Sequence, residues 1–219
     1  GDTEMSAPLG YGRIEYAYNL MAVEAGVEMM PCRLHHERGR SHFMTKRFDR
    51  NVRGGKLHMQ SLGALAHFDY RQPTSYSYEQ AIRVMRRLGL PRADIEQQVL
   101  RAFFNVVGRN CDDHVKNIAF LMDRRGEWSL SPAFDASYAL NPAGEWTSRH
   151  QMSINGKREA FGREDLLALA TAAGIKMPQA NQMLDRVIAT VRRWPEFAET
   201  AGVPGERIDA IGRRQLVQL

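Results

Sequence analysis

The sequence predicts an α+β fold that is predominantly helical, and three observations carry the prediction. Apolar residues recur at three- and four-residue steps through several long stretches, most of them closed by Gly or Pro. Two pairs of shorter apolar runs flank turn clusters, as hairpins require. The composition, 43% apolar and 25% charged over 219 residues, is that of a chain long enough to bury a full core, as one large domain or two lobes. No apolar run reaches the ~20 residues that a membrane span needs. No signal-peptide pattern opens the chain either, so a cytoplasmic protein with no membrane partner is expected. Cys32 and Cys111 are too few for a disulfide framework and are expected to be free thiols. An excess of 30 Lys and Arg over 25 Asp and Glu gives a net charge of +5, compatible with an anionic partner, although no single basic run dominates.

From 13 to 25, Ile14, Ala17, Tyr18, Met21, Ala22 and Ala25 share one helical face, and Gly26 stands where a C-terminal stop belongs. Strands are expected over 27–34 and 41–48, joined by a turn through His36, Glu37, Arg38 and Gly39. With Gly54, Gly55 and Pro73, residues 51–77 read as loop, holding at most a short helix over 61–68. Ser77 and Gln80 form a capping box for a helix whose face, Ala81, Ile82, Met85 and Leu88, runs to Gly89. The next helix starts after Pro91, repeats Ile95, Val99, Ala102, Phe103 and Val106, and stops at Gly108. A second hairpin is expected from 118–122 and 128–130 around a turn ending at Gly126, and residues 141–162 read as loop. Helices over 165–173 and 179–194, the second ended by Pro195, are followed by a short terminal helix over 207–216.

Between the apolar helix ending at Gly108 and the strand beginning at Ile118 stands a polar cluster, and polar groups crowded between two buried elements need a reason. The spacing of Asp112 and Asn117, Asp-x-x-x-x-Asn, supplies one, because a kinase catalytic loop uses it to set a base and a metal ligand at one mouth. Phosphoryl transfer needs a carboxylate to orient the attacking hydroxyl and take its proton, and oxygen ligands to hold Mg²⁺ across the nucleotide phosphates. Asp112 is the candidate base, with Asn117 and Asp135 the candidate metal ligands, all expected to face one cleft because the second hairpin folds the chain back. Lys116 is placed to neutralise charge on the transferred phosphoryl group, and His114 to fix the loop by hydrogen bonding to backbone. Other readings stay open. The spacing occurs by chance in many chains, so Asp112 and Asp113 also fit a helix cap or surface turn, and a metal-dependent hydrolase is a further option. A transition-metal site around His114 lacks a second His at suitable spacing.

Asn-Cys-Asp-Asp-His-Val-Lys-Asn at 110–117, followed by Leu-Ser-Pro-Ala-Phe-Asp at 130–135, resembles the HipA family of bacterial serine/threonine kinase toxins. Arg-Phe-Asp-Arg at 47–50 is similar to the family's segment between lobes, and Met-Ser-Ile-Asn-Gly-Lys at 152–157 to another recurring piece, so the similarity spans most of the chain. It implies a protein-kinase-like two-lobed fold, seen mainly as the all-helical C-lobe over 51–219, with 1–50 as the end of the N-lobe and the hinge. By the same resemblance Asp112 is the proton acceptor, and His114, Val115, Lys116 and Asn117 form the loop that contacts ATP and Mg²⁺. Phe134 and Asp135 are similar to the metal-binding DFG end, while Lys46, Arg47 and Phe48 fall where the hinge meets the adenine. Glu15 takes the place of the acid that pairs with the nucleotide-binding lysine. The implied function is transfer of the ATP γ-phosphate to a Ser or Thr hydroxyl of a protein, as the toxin of a toxin–antitoxin pair. A HipB-like DNA-binding antitoxin is the implied partner, with DNA reached through it and, for some members, an aminoacyl-tRNA synthetase as substrate.

One departure bears on activity. Family members carry a Gly-rich phosphate loop and a strand lysine upstream of the first helix, and residues 1–14 supply neither: Gly10, Tyr11 and Gly12 make too short a loop, and no Lys precedes Lys46. The chain also opens Gly-Asp-Thr-Glu rather than with Met. The expectation is a piece of a longer protein, inactive on its own. The competing classes are a non-catalytic, pseudokinase-like module that holds an antitoxin or nucleic acid through its basic surface, and a lipid or small-molecule kinase that shares the loop.

Overall fold

The structure, a computed structural model, describes residues 10–51, 54–72 and 75–219. Residues 1–9 and, in the expected 51–77 loop, 52, 53, Pro73 and 74 lie outside the described residues.

Helix α1, Tyr11–Ala25, buries the predicted face from Ile14 to Ala25 and ends on Gly26 at φ 95, where Val27 N–H returns to the Ala22 carbonyl at 2.9 Å. Strands β1, Cys32–Glu37, and β2, Arg40–Thr45, pair antiparallel around the two-residue turn Arg38 and Gly39, both at positive φ, which matches the right-handed twist of a tight hairpin. The hairpin begins five residues later than the apolar run predicts, because the stretch before it is used elsewhere: Met29 bridges Ala133 in parallel, and Ala133 N–H donates to the Glu28 carbonyl at 2.8 Å. Only glycine fits at position 12, where a Cβ would lie 2.6 Å from the Ser41 carbonyl oxygen, so α1 and β2 pack backbone to backbone.

Strand β3, His58–Ser61, lies in the stretch expected to be loop and passes directly into α2, Leu62–Ala66. Its partner is β4, Ala119–Met122, which pairs in turn with β5, Trp128–Leu130, so the predicted second hairpin becomes a three-stranded antiparallel sheet ordered β3-β4-β5. The sequence missed β3 because four residues beside glycines carry too little alternation to register as a strand. Helices α3, Tyr78–Arg87, with the predicted Ser77 and Gln80 capping box, and α4, Arg92–Gly108, precede the sheet's second strand. After the irregular segment 131–162 come α5, Arg163–Ala172, α6, Met177–Arg192, α7, Trp194–Thr200, and α8, Gly205–Gly212. Pro195, read as the end of the long helix, in fact opens α7, since proline fits the first helical turn, where its missing N–H costs nothing.

The core is built where α1, α4, α6 and α7 meet. Tyr18 and Trp194, both fully buried, stack obliquely with ring centroids 5.2 Å apart. The Tyr18 hydroxyl donates to the Gly108 carbonyl at 2.5 Å and accepts from Gln215 Nε2 at 3.2 Å. Those bonds fix the last turn of α4 to the first helix, and the polar loop leaves from that turn. No helix among the described residues is long and apolar enough to cross a membrane.

Candidate active site

Arg109 leaves α4 in the left-handed region at φ 59, and over 111–116 burial alternates with a two-residue period, the last two of these residues forming a turn. Cys111, Asp113 and Val115 turn inward and are buried; Asp112, His114 and Lys116 turn outward. The backbone is tied at both ends, by Asn110 N–H to the Asn105 carbonyl at 2.9 Å and by Gly63 N–H to the Val115 carbonyl at 3.0 Å. Inside the loop His114 N–H donates to the Asp112 carbonyl at 3.0 Å and Asn117 N–H to the His114 carbonyl at 2.9 Å.

Beneath the loop, the Asp113 carboxylate is 3% exposed and saturated: it accepts from the Tyr78 hydroxyl at 2.8 Å, from His150 Nδ1 at 2.9 Å and from Gln151 N–H at 2.8 Å. Asn105 Nδ2 in turn donates to the Tyr78 oxygen at 3.0 Å. Burial alone would depress the His150 imidazole, but the Asp113 carboxylate and its hydrogen bond, with Cys111 adding less, push it up to about 10. The carboxylate thus favours the charged imidazole, and the Asp113–His150 contact bolts the loop to segment 150–151, while Nε2 of the ring is buried without a hydrogen-bond partner. Asp113 is neither the helix cap nor the surface turn that its neighbours in sequence allow.

Above the loop the charges are less matched. Asp112, its side chain 45% exposed, has its pKa raised chiefly by burial and also by Asp135 and Asp113, while His114 and Lys116 pull it down. His114 Nε2 stands 3.9 Å from the Asp112 carboxylate and Nδ1 is buried without a partner, so the ring makes none of the backbone bonds expected of it; its own N–H does that work. The Lys116 ammonium lies 3.4 Å from the centre of the Tyr70 ring, a cation–π contact that parks it beside Asp112. Asn117 Nδ2 donates to the Asp112 carbonyl at 2.9 Å, which leaves Oδ1 uncommitted.

Asp135 sits at φ 55 on the exposed side of the segment held by Ala133, and its carboxylate takes no hydrogen bond or ion pair among the described residues. Beside it on α1, the Glu15 carboxyl is pushed up to about 7, first by burial and then by the Asp135 charge. The three sequence-predicted polar residues do not line one cavity. Asn117 and Asp135 line a narrow interior pocket, and Asp135 with Phe134, Glu15 and Phe43 lines a second cavity of about 200 Å³ against α1 and β2. Asp112 opens instead onto two outer clefts. Among the described residues neither the Asn117 amide oxygen nor the Asp135 carboxylate has a hydrogen-bond or ion-pair partner, and two such hard oxygen donors have the chemistry that would hold a Mg²⁺ ion.

At the expected hinge, the Phe48 ring packs on Phe134 at 5.3 Å between centroids, joining 46–48 to the Asp135 segment. Lys46 N–H donates to the Pro31 carbonyl at 3.0 Å. Arg47 is spent on Asp49 through two bonds of 2.8 and 2.6 Å, and none of Lys46, Arg47 and Phe48 lines the 200 Å³ cavity. The residues that sequence reasoning missed are Tyr78, His150 and Gln151. The one signal that could have found them is the alternation Cys111, Asp113, Val115, which buries the second carboxylate and obliges it to have donors.

The HipA-like C-terminal domain family matches residues 4–194. A curated protein of Sinorhizobium fredii (strain NBRC 101917 / NGR234), named "Putative kinase Y4mE", is 25% identical over 221 residues, covering 91% of this chain and 52% of that protein. The chain thus spans about half the length of that relative. Among solved structures, the Shewanella oneidensis MR-1 toxin–antitoxin complex of HipA, HipB and operator DNA matches with a TM-score of 0.71 at 17% identity, over 93% of this chain and 53% of the other. The Helicobacter pylori proinflammatory kinase CtkA matches with a TM-score of 0.53 at 13% identity, over 95% and 85%. The fold is kinase-like, and the chain belongs to the HipA-like C-terminal domain family.

Proposed function

We propose that this chain is the acceptor and metal side of an ATP-dependent serine/threonine protein kinase of the HipA toxin type. The observation that carries the reading is the division of labour across one loop: Asn117 and Asp135 line an interior pocket, while Asp112 opens outward. A phosphoryl transferase needs that division, because nucleotide and acceptor must approach the reacting phosphorus from opposite sides. Asp112 accepts the proton of the acceptor hydroxyl at a carboxylate oxygen, and its raised pKa makes it a better base than an ordinary surface aspartate. Lys116 and His114 hold that carboxylate's charge in place. Phe48 and Phe134 offer an apolar surface to the adenine side. Mg²⁺, when held by Asn117 and Asp135, neutralises charge on the nucleotide phosphates.

The rest of the nucleotide grip, the Gly-rich loop and the lysine that pairs with Glu15, is proposed to come from outside these residues. A clamp closed from one side positions little, so these residues alone are expected to bind Mg²⁺-ATP weakly and to transfer no phosphate. By likeness to the Shewanella complex, a HipB-like antitoxin, with DNA behind it, is the proposed partner, in the cytoplasm. The test is a radiolabelled transfer assay on the native-length protein, with calorimetry alongside. Asp112→Asn should cut transfer by roughly 10²–10⁴-fold with nucleotide affinity kept. Asp135→Ala should weaken Mg²⁺-ATP binding as well; equal loss of affinity in both variants overturns the assignment.

A further inference from the structure

Asp112 lies on the floor of two outer clefts, of about 550 and 690 Å³, that share Asn141 and Thr147 as well. They differ in chemistry. The first contains Arg207 and Arg214, which make no ion pair among the described residues, and Arg207 Nε is buried there without a hydrogen-bond partner. Burial raises the pKa of Tyr138 in the same cleft, while Arg214 and, less strongly, Arg109 and Arg207 pull it down, so three guanidinium charges act on this limb. Among the described residues Asp112 is the one carboxylate that lines it. The second cleft holds Tyr70 and Trp146, respectively 43% and 47% exposed in a protein that buries Trp194 completely. Its one arginine, Arg71, is paired with Asp69 at 3.0 Å, the Lys116 ammonium lies over the Tyr70 ring, and Glu145 adds a negative charge.

We propose that the two clefts are limbs of a single acceptor groove that takes an extended peptide of a substrate protein, with its Ser or Thr over Asp112. Acidic side chains lie against Arg207 and Arg214 on one side of that hydroxyl, and an aromatic or apolar side chain lies against Tyr70 and Trp146 on the other. The inference rests on the kinase reading for its central residue and on charge complementarity for its ends. Unpaired guanidinium groups in a concave, partly dry surface recognise carboxylates. Exposed aromatic surface, here Trp146 and the part of Tyr70 that Lys116 leaves open, recognises apolar side chains. The Glu145 carboxylate keeps the acidic end of the peptide out of the aromatic limb, so the groove has a direction.

The test uses fluorescein-labelled Ser-centred peptides carrying a run of Glu on one side and Phe on the other, in both orders, and the same peptides with Lys for Glu. Anisotropy on the native-length protein without nucleotide should show one Glu peptide binding about tenfold tighter than its Lys counterpart at low salt, with the gap closing as salt rises. Arg207→Glu with Arg214→Glu should invert the charge preference, and Trp146→Ala should weaken peptides bearing Phe but not those lacking it. Equal binding of Glu and Lys peptides by the unaltered protein overturns the groove whether or not the variants fold. A parallel transfer assay with Mg²⁺-ATP separates the two readings. Selective binding without labelling of Ser removes the kinase reading and leaves the groove, whereas labelling without charge selectivity does the reverse.

Discussion

The two faces of loop 110–117 hold the same kind of group in opposite conditions. On the lower face one carboxylate, Asp113, has three donors, one of them the buried His150 imidazole. On the upper face the Asp135 charge acts on both Asp112 and Glu15, while Lys116 and the His114 ring offset the charge of Asp112. A satisfied charge makes a rigid anchor, and an unsatisfied cluster is where a cation or a substrate gains most by arriving. Stability and function are thereby assigned to adjacent residues, so the two can be separated by mutation.

The largest expected effect falls on the lower face. Asp113→Ala strands the Tyr78 hydroxyl, the Gln151 N–H and a buried imidazole, and should cost about 3–5 kcal/mol in a denaturant titration. A loss below ~1 kcal/mol would mean that the clamp is not what holds the loop. Asp112→Asn is the contrast. Its carboxylate is half open and raised in pKa, so the substitution removes a charge that the fold tolerates poorly and should leave the midpoint unchanged or move it slightly upward, within ~0.5 kcal/mol. A large loss of stability in Asp112→Asn would break the comparison, since the two faces would then be one network.

Much of this arrangement was legible in the sequence, and the parts that were not share a cause. Helical periodicity and Gly stops located α1, α3 and α4, because period is a local property, whereas the expected convergence of Asp112, Asn117 and Asp135 on one cleft is not what the cavities show. The pairing of β3 with β4 joins residues about sixty positions apart, and the grip of His150 and Gln151 on Asp113 spans 37 and 38, distances over which one sequence carries no register. Arg207 and Arg214 read only as members of a terminal helix; their place beside Asp112 is set by the docking of α8, which no local pattern encodes. Even so, Asp113 is buried in step with its apolar neighbours Cys111 and Val115, a two-residue alternation of burial that is local to the loop.

The smallest effect sharpens the comparison most, because it asks whether the upper face is short of a cation. Glu15 titrates in the folded protein near 7 instead of its ordinary 4.5, since burial and the Asp135 charge both disfavour its ionised form. Between those two values the folded state holds a proton that the unfolded state has released, so stability falls as pH rises through the window and levels off above it. Glu15→Gln cannot ionise. The variant should match the parent near pH 4 and exceed it near pH 8, by no more than about 1 kcal/mol because the site is partly open to solvent. Equal pH slopes in parent and variant would show that Glu15 is already neutralised. In the native-length protein the proposed lysine partner would stabilise the ionised form and lower the carboxyl's pKa, so the slope should flatten there and Glu15→Gln should turn destabilising near pH 8. That reversal of sign between these residues alone and the native-length protein distinguishes an upper face that awaits a cation from one built to do without it.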